Sequence, residues 1–272
     1  MFILKMKKRG QAGIFVIIGI VLVAVIFLIF FFRESLGKTI RESPTDSQEY
    51  LNQQLGDVKR EIGRCAELET KAAAKLLMEN AGVFERDFGY VVYSGIKYPI
   101  LCRAMENGEG CLSENIFISD MQNKLDNYLP LKISNCINLN EFRDSDYELS
   151  SGNIGVSSLI SDKNILITLD FPIELKKGAY STSEDKFVYA ADTPLGEFTN
   201  AVNRLVQKKS GGEEIDIISF GMLSKNRYRL ELKKPYPDEI YDLSLSTNDE
   251  YHFYFAFEGI PREGLERTAV II

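Results

Sequence analysis

The stretch KKRGQAGIFVIIGIVLVAVIFLIFFF occupies residues 7–32. From Ile14 to Phe32 it carries no charge, and Gly19 is its only break in apolar character. At about 1.5 Å rise per residue, a helix over this run spans roughly 28 Å, close to the hydrocarbon thickness of a bilayer. A core helix of a soluble domain keeps a polar face, so the run predicts a transmembrane helix over residues 14–32. Lys5, Lys7, Lys8 and Arg9 precede it with no acid among them, whereas beyond it Arg33 is offset by Glu34 and Arg41 by Glu42. That asymmetry keeps the N-terminus cytoplasmic. No small-x-small cleavage site follows the run, which favours an uncleaved signal-anchor.

The expected organisation works outward from this anchor. It has a basic cytoplasmic N-terminus (1–13), a transmembrane helix (14–32) and a polar neck (33–46). A helical, disulfide-stapled subdomain (47–142) and a β-rich subdomain (143–272) follow, both outside a cell membrane crossed once. The expected fold class is α+β: the transmembrane helix, a long amphipathic helix, then an extracytoplasmic antiparallel β-rich domain with one or two further helices. The formal net charge is −7; setting aside the four basic residues before the anchor leaves −11 for the rest. Such an acidic exterior argues against nucleic acid as a partner.

Cys65, Cys102, Cys111 and Cys136 all fall on the outer side in this topology, where disulfides persist. Four cysteines allow three pairings. Cys102 and Cys111 flank a loop with two glycines that can turn back on itself, which favours a local 102–111 staple. Cys65–Cys136 would then tie the first extracellular helix to the end of the second. Zinc lacks support: the cysteine spacings are not CxxC-like, and His252 is the only histidine.

Along the chain, Leu51, Leu55, Val58, Ile62, Cys65, Leu68, Ala72, Leu76 and Leu77 recur in steps of three and four, one face of a long helix. Asn80 and Gly82 stop it. Ser119 and Gln122 form a capping-box pattern ahead of Met121, Leu125, Tyr128 and Leu129, and Pro130 is expected to end that helix. Beyond Phe142 the period becomes two. A strand is expected over 165–175, with Pro172 placing it at an edge or bulge, and another over 186–191. Thr193-Pro194 starts a helix with Leu195, Phe198, Val202, Leu205 and Val206 on its apolar face. Residues 215–223, 227–233, 240–245 and 251–257 all read as short strands. In the last, Phe253, Phe255 and Phe257 share one face that should be buried.

Two resemblances bear on placement. Arg9-Gly10-Gln11 before the apolar run resembles the processing site of archaeal type IV pilin-like (class III) signals, which implies cleavage between Gly10 and Gln11. Phe15 stands where many bacterial pilins carry Glu, a departure from the pilus-assembly pattern. The whole layout also resembles a family of uncharacterised archaeal single-span membrane proteins. The pieces that carry the likeness are the GQAGIF-type anchor, Cys65, the 121–129 helix, Cys136, the strand 170–178 and Leu195-Gly196. The resemblance implies location and no chemistry.

The residues nominate no catalytic, cofactor-binding or metal-binding group. His252 has no nucleophile patterned with it. The carboxylate clusters Asp144/Asp146/Glu148, Glu213/Glu214/Asp216 and Asp238/Glu239/Asp242 read as solvated turns. The Asn138, Asn140, Asp144, Asp146 spacing lacks the EF-hand order for calcium, and no phosphate loop is present. The balance leans away from an enzyme. The expected function is a membrane-anchored extracytoplasmic structural or interaction protein, pilin-like or a cell-envelope component, with the lipid bilayer and other envelope or pilin-like proteins as partners. The alternatives are a membrane-tethered hydrolase or a ligand-binding ectodomain.

Overall fold

The computed structural model describes residues 19–21, 23, 44–87, 89–105, 110–142 and 146–272. They belong to two compact units, Met1–Tyr50 and Leu51–Ile272. In the first, residues 19–21 and 23 are helical, and helix α1 begins. The expectation of a fold built on a transmembrane helix is corrected: no helix among the described residues is long and apolar enough to cross a membrane. A span needs about 20 predominantly apolar residues. The described part of 14–32 is four residues, and the long helix that is described is amphipathic. The rest of that stretch, with Gly10 and Gln11, lies outside the described residues.

Helix α1 is Pro44–Glu79. Leu51, Leu55, Val58, Ile62 and Cys65 are buried as the apolar stripe requires. Past Cys65 the buried face passes through small residues, Ala66, Thr70, Ala73 and Ala74, before Leu77 and Met78, while Leu68 points outward at 52% exposure. Small side chains let strands approach the helix closely, and Gly63 does the same for the Tyr189 ring, whose hydroxyl donates to the Lys59 carbonyl at 2.8 Å. The helix stops where Gly82 turns left-handed (φ 88°) and its N–H bonds back to the Leu77 carbonyl.

Two sheets follow. The larger holds β1 (Tyr90–Tyr93), β2 (Ile96–Ala104), β3 (Cys111–Ser113), β8 (Tyr228–Lys233), β9 (Glu239–Leu245), β10 (Asn248–Phe257) and β11 (Val270–Ile271). Its order is β11-β1-β2-β10-β9-β8, with β3 also on β2. Strands from both sides of residue 142 therefore share one sheet. The expected antiparallel arrangement is corrected at β10, which runs parallel to β2, Ala256 opposite Ile100. Phe253, Phe255 and Phe257 are buried, with Phe255 stacked on Tyr241 at 4.9 Å.

The smaller sheet contains β4 (Glu148–Ser151), β5 (Gly155–Ile160), β6 (Asn164–Lys177) and β7 (Tyr180–Asp192). In β6, Ile165, Ile167, Leu169, Phe171, Ile173 and Leu175 are buried in strict alternation. β7 runs along one side of β6, and β5 and β4 lie end to end along the other. The break falls at Pro172. Asp170 opposes Lys186 while Ile173 opposes Glu184, so two β6 residues face one of β7. Proline has no N–H for the ladder, and a bulge is where a strand tolerates it. The slip leaves Asp185 and Lys186 both exposed, where β7's alternation changes phase.

Three helices complete the fold: α2 (Ile118–Cys136), α3 (Leu195–Ser210) and α4 (Ile217–Leu223). Pro130 lies inside α2 and does not end it, a correction to the expected stop. Proline removes only the bond to the Asp126 carbonyl, and burial of Leu129 and Ile133 on either side of it offsets that loss. The N-cap position is Phe117 and makes no side-chain cap bond, so Ser119 does not cap the helix. Asp126 instead reaches β5, accepting from the Ser158 N–H at 2.7 Å and its hydroxyl at 2.6 Å. On α3 the N-cap position is Pro194 and not the expected Thr193; Thr193, one residue earlier, accepts from the Leu195 N–H at 3.1 Å.

Gly196 shows why a Leu-Gly pair begins α3. A Cβ there would collide with the backbone carbonyl of Ser161, and backbone cannot swing aside as a side-chain tip can. Gly196→Ala is expected to destabilise the fold by about 3 kcal/mol. Gly56, inside α1 with open space around its Cβ position, is the matched control, and Gly56→Ala should add about 1 kcal/mol. Denaturant midpoints of the two variants check the opposite signs.

Candidate functional site

Residues 215–223, expected as a strand, contain α4 (Ile217–Leu223), a single short helix. Asp216 caps it, accepting from the backbone N–H of Ile218 at 3.0 Å and Ser219 at 3.2 Å. The Ser219 hydroxyl donates to the second carboxylate oxygen. These bonds, the Ser219 hydroxyl foremost, hold the Asp216 carboxyl below its ordinary range. The Asp-x-x-Ser pattern was the available signal for a helix start. The β-branched pair Ile217-Ile218 concealed it.

Helix α4 hides none of its side chains. Ile218, Met222 and Leu223 are 74, 72 and 80% exposed. Single exposed apolar residues are ordinary on any protein surface, whereas three within six residues of one helix make a patch.

Between α3, α4 and the start of β8 lies a cavity of about 360 Å³. Leu205, Ile215, Phe220, Leu223 and Tyr228 supply its apolar lining, and Arg204, Lys208 and Arg227 its cations. Tyr228 is clamped between Phe198, edge-on at 6.1 Å, and Phe220, stacked at 5.8 Å. Its hydroxyl donates to Glu197, which also pairs with Arg227. Burial first, then the Glu197 carboxylate, pushes the Tyr228 phenol above its ordinary range, so it stays a protonated donor. Ion pairing uses Arg227, and capping uses Asp216. Arg204 and Lys208 enter no ion pair among the described residues, and Glu214 is the remaining acid of the lining. The groove is therefore apolar in its walls, and its cations Arg204, Lys208 and Arg227 are balanced by Glu214, Asp216 and the Glu197 carboxylate that pairs with Arg227.

No family model, curated protein or solved structure matches this chain.

The groove's lining contains neither His nor Cys, and its serine hydroxyls are committed, Ser219 to Asp216 and Ser224 to the Gly221 carbonyl. His252 stands on β10, stacked on Tyr254. Its Nδ1 is 2.8 Å from Asp242 and its Nε2 is 3.1 Å from the Asp249 carbonyl. Burial raises the Asp242 carboxyl above its ordinary range, and His252 opposes that rise. A raised folded value means the native state holds the proton more tightly than the unfolded chain. This carboxyl's contribution to stability therefore declines as pH rises from about 4 through the raised value. Asp242→Asn is expected to remove that decline, so the variant's stability relative to the parent should improve as pH climbs through that window, read by denaturation at each pH.

The remaining carboxylate clusters do not converge on a common point. Asp238 joins Arg267, Glu239 joins Lys209 and Tyr241, and Asp242 joins His252. Asp144 lies outside the described residues. Among the described residues, no group of three or more His, Cys, Asp or Glu could hold a metal ion. Cys65 pairs with Cys136 and Cys102 with Cys111, with Cα atoms 5.7 and 5.4 Å apart. The first joins α1 to the C-terminal end of α2; the second joins β2 to β3.

Proposed function

We propose that the chain is an extracytoplasmic interaction protein of the cell envelope, a disulfide-braced α+β scaffold that docks another protein through α4. The exposure of Ile218, Met222 and Leu223 carries this reading. Burying one such side chain in an interface is worth roughly 1.5–3 kcal/mol, and leaving three in water on a short helix invites a cover. Two disulfides support placement on the outer side of the membrane.

The test is assembly size. The full chain, solubilised gently from its own cells, should migrate well above its 30.8 kDa mass. The Met222→Asp/Leu223→Asp variant should run as the isolated chain with its melting temperature unchanged. An equally large complex from the variant, or an isolated parent chain, would refute the docking role.

A further inference from the structure

We infer that the outer edge of β7 pairs, antiparallel, with the same edge of a second copy of this chain, about a two-fold axis level with the Asp185–Lys186 peptide. This stands apart from the α4 role. A strand edge is a row of backbone donors and acceptors that another strand satisfies in register. The smaller sheet guards its opposite side: at β5, Asp126 of α2 accepts from the Ser158 backbone N–H. β7 pairs with β6 on one side, and among the described residues no backbone hydrogen bond reaches residues 182–191 from the other. The space there is open. A groove of about 420 Å³ lies between Lys59, Arg60 and Gly63 of α1 and Phe187, Val188 and Tyr189 of β7. Lys59 and Gly63 sit about 100° round the helix from the buried Val58 and Ile62. Tyr189 therefore meets the flank of α1, and the helix stands back from the edge.

The phase change in β7 makes the strand complementary to itself. Before it, Ser183 and Asp185 lie on the outer face and Thr182 and Glu184 on the inner; after it, Lys186 and Val188 are outer and Phe187 and Tyr189 inner. Residues directly opposite in an antiparallel pair share a face. Only one register between two β7 strands crosses the phase change with faces matched throughout, the one that sets Asp185 opposite Lys186. Thr182 then meets Tyr189, Ser183 meets Val188 and Glu184 meets Phe187, each twice. A slip of one residue puts an inner side chain against an outer one. The same register supplies charge complementarity. Neither Asp185 nor Lys186 enters an ion pair among the described residues. In the paired copies each Lys186 lies between Asp170 of its own β6 and Asp185 of the other chain, a cation bracketed by two carboxylates. Exposed pairs add little strength; these fix the register.

A seam over residues 182–189 falls short of the roughly 20–30 residues a side of a stable interface. The pair therefore forms where chains are concentrated and separates on extraction, and the assembly-size test of the α4 role is read without it. A photo-crosslinking amino acid at the exposed Val188 of the full chain, irradiated in its own cells before extraction, tests the pairing, with exposed Asn153 as control. The expected adduct has twice the chain's mass and maps by mass spectrometry to residues 182–184 of a second copy. Asp185→Lys, which sets like charges across the seam, should lower the yield about tenfold. Reversing the whole exposed row, Asp170→Lys/Asp185→Lys/Lys186→Asp, should restore it, a recovery that misfolding would not give. An adduct to another protein or to lipid, or to a different part of the second copy, would overturn the inference. So would a yield that Asp185→Lys leaves unchanged or the row reversal does not restore, or no adduct above the Asn153 control.

Discussion

Replacing Cys65 and Cys136 together by Ala is expected to lower stability by about 4 kcal/mol, the loop-closure entropy of a bridge across a 71-residue separation. For a domain of this size that corresponds to a fall in melting temperature of roughly 8–16 °C. The same substitution at Cys102 and Cys111, whose separation is 9, should cost only about 2.5 kcal/mol on the same entropy relation. The contrast follows from placement. The long bridge holds α1 to the end of α2, and α2 in turn covers β5 through Asp126. The short one closes a hairpin that already has its own ladder between β2 and β3. Thermal melts of the two double variants give the comparison directly, and equal losses would show that loop length does not set the effect.

Arg267→Met should be nearly as damaging, at about 3 kcal/mol, because it leaves the buried Asp238 carboxylate without its cation. Asp238 is 1% exposed. One of its oxygens accepts from the Gly259 N–H at 3.0 Å and from Arg267; the other has no partner among the described residues. Arg267 also donates to the Gly259 carbonyl at 2.8 Å and to Glu258 at 3.3 Å. The guanidinium thus ties the segment after β10 to the start of β9. The double variant Asp238→Asn/Arg267→Met should recover part of the loss, since an amide is far cheaper to bury than a charge. Urea midpoints of the single and double variants test this, and a double variant less stable than the single would contradict it.

What the sequence revealed depended on how local each signal was. The alternation in β6 and the Phe253, Phe255, Phe257 face were legible because side-chain direction repeats every two residues whatever the partner strand. Pro172 marked a bulge for the same local reason. The parallel pairing of β10 with β2 left no local mark, since Ala256 and Ile100 meet only through tertiary folding. Pro130 misled because its local cost is outweighed by burial of Leu129 and Ile133. Leu68 misled because the stripe on α1 continued through Ala66 and Thr70, residues too small or too polar to stand out in an apolar count. The groove was invisible for a similar reason. Its lining comes from α3, from a helix that read as a strand, and from β8, and Arg204 and Lys208 look like ordinary solvated charges until Phe220 and Tyr228 are placed beside them.

The proposed placement outside the cell membrane is tested most directly by the thiol state of the chain isolated from its own cells. After alkylation without reductant, peptide mapping should recover Cys65 linked to Cys136 and Cys102 linked to Cys111, with none of the four alkylated. Free, alkylated thiols at all four positions would contradict the proposed extracytoplasmic placement and the disulfide bracing of the fold.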